Sequence, residues 1–129
     1  LRLTPNNIAA LNNLSLIYAE APGRSGEGLE LIQRAIRMAG PQPNLVDTRG
    51  LVHLARKDYL AAVNSFQEAV AQVRKPIYLL HLAEARRLSG NYQAAQQSLN
   101  EAISVGLDKV PLNLLDQKIH KNLLNLRTP

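Results

Sequence analysis

The sequence has no cysteine, no tryptophan and a single phenylalanine among its 129 residues. Without cysteine the chain has no disulfide bond, no iron–sulfur cluster, no thiolate zinc site and no thiol nucleophile. Aromatic residues make up 4% of a sequence that is 46% hydrophobic, and this composition favours packed α-helices over a β-sandwich or barrel. No apolar run approaches the roughly 18 residues that a membrane-spanning helix needs. The length suits one domain with its own core, or several small repeats stacked together.

Positive charge exceeds negative charge, with 15 Lys and Arg against 10 Asp and Glu and a formal net charge of +5 at pH 7. The cations are dispersed, so we expect a solvated surface rather than the basic stripe with stacking aromatic residues that argues for nucleic acid. A cysteine-free chain suits the cytosol and the periplasm equally. Because Leu1 is not methionine and no signal-peptide pattern follows it, we expect further residues, including repeats, to precede it in the intact protein.

Two helical patterns alternate three times along the chain. The first pattern has a small residue directly after the second of three larger side chains, as in Leu11, Leu14, Ser15 and Tyr18; Val46, Arg49, Gly50 and His53; and Leu79, Leu82, Ala83 and Arg86. The second pattern is small, large and small, as in Gly28, Ile32 and Ala35; Ala62, Phe66 and Ala69; and Ala95, Leu99 and Ala102. Two helices joined by a short turn approach closely only where a side chain is hydrogen or methyl, so the small residues predict helical hairpins.

This pattern resembles the tetratricopeptide repeat, whose signature is W-x2-L-G-x2-Y, then A-x3-F-x2-A, then proline, in about 34 residues. Pro5, Pro43 and Pro76 stand where the three first helices are expected to begin, at positions that do not need a backbone N–H. Asp58 and Asn91 stand where their side chains would cap the second helices of two hairpins.

The resemblance covers about residues 5–106 and implies an all-α fold, a right-handed superhelix of three hairpins plus a C-terminal capping helix. We expect one domain over residues 1–129, with repeats at about residues 8–42, 43–75 and 76–109 and the capping helix at about residues 112–126. Seven helices are predicted, at about residues 6–20, 26–39, 44–56, 59–73, 76–89, 92–105 and 112–126.

The predicted last helix carries an apolar stripe on an otherwise polar segment, formed by Leu112, Leu115, Ile119, Leu123 and Leu126. The spacing of its first residues repeats that of a fourth first helix. One face of such a helix packs on the last hairpin while the other faces water, as in the cap of a solenoid. A helix that lies on a membrane surface would need denser cations and aromatic residues.

Three polar residues stand where the family pattern has apolar ones, namely Arg49, His53 and Arg86. In one interpretation their stems pack on apolar neighbours and their polar heads stay in water. In the other they form a cross-repeat cluster balanced by Asp47 or Glu84. Three buried cations with too few carboxylates would be destabilising, which favours the first interpretation.

The sequence offers no pattern for catalysis, a cofactor or a metal ion. His81 and Glu84 are three residues apart, but one such pair arises often by chance on helix surfaces. Residues 23–28 contain a loose G-x2-G-x-G pattern, but no Lys-Ser follows and no strand precedes it, so a helix-entry turn explains it better. We therefore expect a protein that is not an enzyme and has no cofactor.

The resemblance assigns a binding surface to the first helices of the hairpins, which line the concave face of the superhelix. In this family that face usually holds a peptide or helix from a partner protein. The phase of the repeats places the following residues there: Asn12, Leu16, Asn44, Asp47, Leu51, Leu54, Ile77, Leu80, Glu84 and Arg87. We expect the large apolar ones to face out of the hairpins and to contact a partner, with Glu20, Glu84 and Arg87 as charges at the rim.

Some members of the family grip the C-terminal carboxylate of chaperones with Lys, Asn and Arg residues in this groove. That clamp is missing here, because the matching positions hold Asn12, Leu16, Thr48, Ile77 and His81. The run N-L-V-D-T-R-G at residues 44–50 is similar to the N-x-L-D-T-x-G run of bacterial repeat proteins in envelope polysaccharide export and sorting systems. This likeness favours a bacterial multi-repeat scaffold as the parent protein.

The sequence therefore predicts a non-enzymatic protein-binding module of a larger scaffold, which takes an apolar or amphipathic segment in its concave groove. One alternative is a structural spacer or self-assembly element, whose groove is filled by neighbouring repeats or by a second copy of the chain. Another is a binder of anionic polymers that uses the surplus of arginine. Partner identity, pathway, compartment and oligomeric state stay open at this point.

Overall fold

A computed structural model of the chain describes residues 7–127, which contain seven α-helices and no β-strand. The helices are α1 (Ile8–Glu20), α2 (Ser25–Ala39), α3 (Pro43–Ala55), α4 (Tyr59–Gln72), α5 (Pro76–Leu88), α6 (Tyr92–Ser104) and α7 (Leu114–Leu124). Short 3₁₀ turns follow α6 and α7. All seven helices were predicted, and their ends lie within about two residues of the predicted ones. Of the helices in this described part, none has the length and apolar character needed to cross a membrane.

The local signals at the helix starts act as predicted. The side chains of Asp58 and Asn91 each accept a hydrogen bond from the backbone N–H three residues later, at 3.3 and 3.2 Å. Pro43 and Pro76 are the first residues of α3 and α5, where the missing N–H leaves no hydrogen bond unmade. Pro5 lies outside the described residues. These signals at the starts of α3 to α6 are local, since each acts within the first turn of its own helix.

The two helices of a hairpin approach closely at glycine. A β-carbon on Gly28 of α2 would lie 2.6 Å from the carbonyl oxygen of Ser15 in α1. A β-carbon on Gly50 of α3 would overlap the ring of Phe66 in α4, which is fully buried. The predicted reason for the small residues is therefore confirmed in the first two hairpins.

Gly50→Ala is expected to lower the free energy of unfolding by about 1–3 kcal/mol, because the added methyl group forces the buried Phe66 ring to move. The higher helix propensity of alanine, worth about 1 kcal/mol, offsets only part of this loss. Urea denaturation followed by circular dichroism measures the change. Gly26→Ala is the matched control, since its β-carbon would meet only the side chain of Arg56, at 3.2 Å. If both variants are as stable as the original protein, the two helices do not pack this closely.

Large side chains of each hairpin fill the space between it and its neighbours. Phe66 of α4 packs against Leu82 and Ala85 of α5, in the following hairpin.

The last helix, α7, packs mainly against α5 and only lightly against α6. Ile119 and Leu123 of α7 are buried in the same core cluster as α5 and α6. The helix therefore covers the inner side of α5 in the third hairpin.

The departures from the family pattern do not form a cross-repeat cluster. Arg49 donates from Nε to Ser65 Oγ at 2.9 Å, and Arg86 donates from Nη1 to Ser98 Oγ at 2.7 Å. Each arginine thus contacts the second helix of its own hairpin. His53 is partly buried, its Nδ1 has no hydrogen-bond partner among the described residues, and burial lowers its pKa.

Candidate binding groove

A groove of about 370 Å³ runs along the inner surface between α1 and α7, with α3 and α5 between these two walls. Its lining is Leu16, Ala19, Glu20, Leu51, Leu54, Ala55, Glu84, Leu88, Leu115, Lys118, Ile119 and Asn122. Most of these side chains are aliphatic. A concave apolar surface with a few polar groups at its edge is the usual form of a binding site.

Four of the predicted inner-face residues line this groove. Leu16, Leu51 and Leu54 are partly exposed, in agreement with the direction that the repeat phase predicts for their side chains. Glu84 also reaches the groove, but its carboxylate is buried and accepts from Arg87 Nε at 2.6 Å and Nη2 at 3.1 Å. This hydrogen bond raises the pKa of Arg87.

The structure corrects the placement of Leu80 and Ile77. Leu80 is fully buried, and it lies with Ile119 and Leu123 in the core cluster that α7 completes. Ile77 is partly buried against the same cluster. Their side chains do face the inner side, but α7 covers that side at the third hairpin. The expectation that Leu80 is open to a partner is therefore wrong.

The polar residues of the predicted set have different environments. Asn44 is exposed at the start of α3. Asn12 is partly buried, and its Oδ1 has no hydrogen-bond partner in the described part of the chain. Asp47 is only 6% exposed and does not reach the groove, because it belongs to a buried network beneath it.

A buried hydrogen-bond network joins three helices of the inner layer. His81 of α5 bonds through Nδ1 to the two oxygens of Asp47 in α3, at 2.8 and 3.0 Å. Its Nε2 bonds to Asp116 Oδ1 in α7 at 2.7 Å. Both ring nitrogens face carboxylates, so the protonated imidazole is the form that donates to both. Through these hydrogen bonds the network connects α7 with α5 of the third hairpin and with α3 of the second hairpin.

The two carboxylates decide the charge of His81. Burial by itself lowers the pKa of an imidazole, but the charge of Asp47 and the hydrogen bonds to Asp116 and Asp47 outweigh burial. Together they raise the pKa of His81 to about 10. The side chain is therefore an imidazolium at neutral pH, held between two carboxylates in the interior.

This raised pKa predicts that stability falls as the solution becomes alkaline. The folded protein holds the His81 proton up to about pH 10, whereas an unfolded chain releases it near pH 6.5. The stabilisation is complete below about pH 6.5 and is lost as the pH rises through 10, with a slope of up to about 1.4 kcal/mol per pH unit. Tyr78, whose pKa is raised by burial, responds only above this window.

Urea denaturation at a series of pH values between 6.5 and 10 measures the slope. His81→Asn should remove most of it, because the asparagine side chain has no proton to lose in this range. A slope that is the same in both proteins would show that His81 is not charged in the folded state.

The network was not predicted from the sequence, although the sequence contains a signal for it. Asp47 and His81 are 34 residues apart, and His81 and Asp116 are 35 apart, so the three polar residues recur at the repeat length. Polar side chains at that spacing face one another on adjacent first helices. Leu88 of α5 and the α7 residues of the groove were also not predicted as groove residues, because the second wall forms only where α7 packs. Within residues 7–127, no group of three or more His, Asp or Glu side chains is arranged to hold a metal ion.

No protein-family model and no curated protein sequence matches this chain. Solved structures with low sequence identity do match it. The type III secretion chaperone SycD of Yersinia enterocolitica, in complex with a peptide of the translocator YopD, has a TM-score of 0.76 at 16% identity, over 98% of this chain and 97% of that chain.

Two further structures are similar over most of their length. PcrH, in complex with the chaperone binding region of PopD, has a TM-score of 0.75 at 15% identity, over 96% of this chain and 93% of that chain. The TPR domain of Arabidopsis OM64 has a TM-score of 0.67 at 15% identity, over 92% of this chain and 98% of that chain. Together with the three hairpins and their contacts at small residues, these similarities show that the chain has a tetratricopeptide-repeat fold.

Proposed function

We propose that the protein is a non-enzymatic interaction module that binds an apolar or amphipathic segment of a partner protein in its inner groove. The observation that carries this proposal is the groove itself. Leu16, Leu51 and Leu54 line it and stay partly exposed, although the chain buries other leucines of the same helices. Exposed apolar side chains gathered in a concave surface gain free energy when a partner removes them from water.

The similar structures support the same use of the fold. SycD was solved with a peptide of YopD, and PcrH with the chaperone binding region of PopD. The groove has no surplus of positive charge for an anionic polymer, since Lys118 is the one cation of its lining and the exposed Glu20 lies on the opposite wall. Light scattering tests the alternative of a self-assembling spacer, because a stable dimer that buries the groove would contradict a free binding site.

Leu54→Ser is expected to weaken binding of a groove ligand by about 1–3 kcal/mol, because it removes a central apolar contact. The ligand is obtained by selecting a library of random peptides, displayed on phage, against the whole chain. Fluorescence anisotropy then measures the affinity of the selected peptides for each variant.

Leu60→Ser is the matched control, since Leu60 lies on α4 outside the groove and is 73% exposed. We expect it to bind the peptides normally. Circular dichroism verifies that both variants keep their helices. Peptides that lose affinity for the Leu60 variant and retain it for the Leu54 variant would contradict the proposed groove.

A further inference from the structure

The inner face of the third hairpin already shows what kind of segment this surface accepts. α7 is an amphipathic helix, and it lies on α5 with Ile119 and Leu123 buried and Lys118 and Lys121 exposed. The neighbouring inner face of α1 and α3 is similarly aliphatic, and no helix of residues 7–127 covers it. Its apolar lining continues onto α7 through the partly exposed Leu115.

The two walls of the groove carry opposite charges that have no ion pair. Glu20 lies on the α1 wall, and Lys118 lies on the α7 wall. Both side chains are exposed, and neither makes a salt bridge within residues 7–127. Glu84 differs from them, because Arg87 and Asn122 already donate hydrogen bonds to its carboxylate. A ligand in the groove therefore meets one negative wall and one positive wall.

We propose that the groove selects an amphipathic helix whose apolar stripe has a basic residue on one flank and an acidic residue on the other. This inference rests on the proposed function and adds the chemistry of the partner. The stripe supplies two or three leucine-sized side chains to Leu16, Leu51 and Leu54. The basic flank lies beside Glu20 and the acidic flank beside Lys118. A segment with two flanks of the same sign is attracted by one wall and repelled by the other, so the two wall charges favour mixed flanks.

Three synthetic helical peptides of about 18 residues test this inference. All have the same leucine stripe, and their flanks are Arg and Glu, Arg and Arg, or Glu and Glu. Fluorescence anisotropy at low ionic strength measures their affinities for the whole chain. The peptide with mixed flanks is expected to bind about three- to tenfold more tightly than the other two, and the difference should shrink in high salt.

Charge reversal of each wall gives the decisive comparison. Glu20→Lys makes both walls positive and should prefer the peptide with two Glu flanks. Lys118→Glu makes both walls negative and should prefer the peptide with two Arg flanks. The double variant restores one charge of each sign and should again prefer mixed flanks.

The outcomes separate this inference from the proposed function. If the order of the three peptides is the same for all four proteins, the wall charges do not select the partner, and the inference is overturned. In that case the groove is still the binding site if all three peptides bind the original chain and lose affinity for the Leu54→Ser variant. If none of the peptides binds the original chain at millimolar concentration, the inference fails, while the phage-selected peptides test the groove independently.

Discussion

Replacing His81 with leucine is expected to lower the free energy of unfolding by about 3–5 kcal/mol, because the two buried carboxylates then lose their common counter-charge. Asp47 and Asp116 have side chains that are only 9% and 7% exposed, so water cannot replace the imidazolium. Leucine is similar to histidine in size, and the loss of packing against the Phe66 ring is small by comparison. Urea denaturation near pH 7 measures the effect.

The same substitution at another histidine is the control. His53→Leu removes a partly buried imidazole whose Nδ1 has no hydrogen-bond partner among the described residues, and we expect its effect to be within about 1 kcal/mol. Adding Asp47→Asn and Asp116→Asn to His81→Leu removes both buried charges and should recover part of the stability. A His81→Leu protein that is as stable as the original would mean that the network does not stabilise the fold.

Deleting residues 110–129 is expected to produce an equally large or larger loss. The deletion removes Ile119 and Leu123 from the core and exposes Leu80 and Leu99, which are fully buried in the intact chain. At about 25 cal/mol per Å², a few hundred Å² of newly exposed apolar surface is worth several kcal/mol, which is much of the stability of an ordinary domain. The deletion also leaves His81 without Asp116.

Thermal unfolding followed by circular dichroism measures the loss, and we expect the melting temperature to fall by more than about 10 °C. Leu123→Ser should reproduce a large part of this fall, because it places a hydroxyl group in the same buried position. Leu114→Ser is its control on the same helix, since Leu114 is 84% exposed. An unchanged melting temperature after the deletion would show that α7 is a free tail rather than a wall of the groove.

The helices and their pairing were predictable because the signals for them are local. Asp58 and Asn91 cap their helices through backbone groups only three residues away. Gly28 and Gly50 mark the points where two helices joined by a short turn touch, and each contact joins the two helices of a single hairpin. Three of the inner leucines were also predicted to line the groove, since the phase of a helix sets the direction of its side chains.

The position of α7 was decided only by the tertiary structure. The apolar stripe of this helix determines that one face is buried, but it does not determine which surface of the third hairpin receives that face. The choice depends on contacts between residues far apart in sequence, above all the hydrogen bonds of His81 with Asp47 and Asp116. By itself, then, the sequence determined a stack of three hairpins with an apolar inner face. Packing of α7 on that face buried Leu80 and formed the second wall of the groove, since burying both apolar surfaces together removes more of them from water than leaving either exposed.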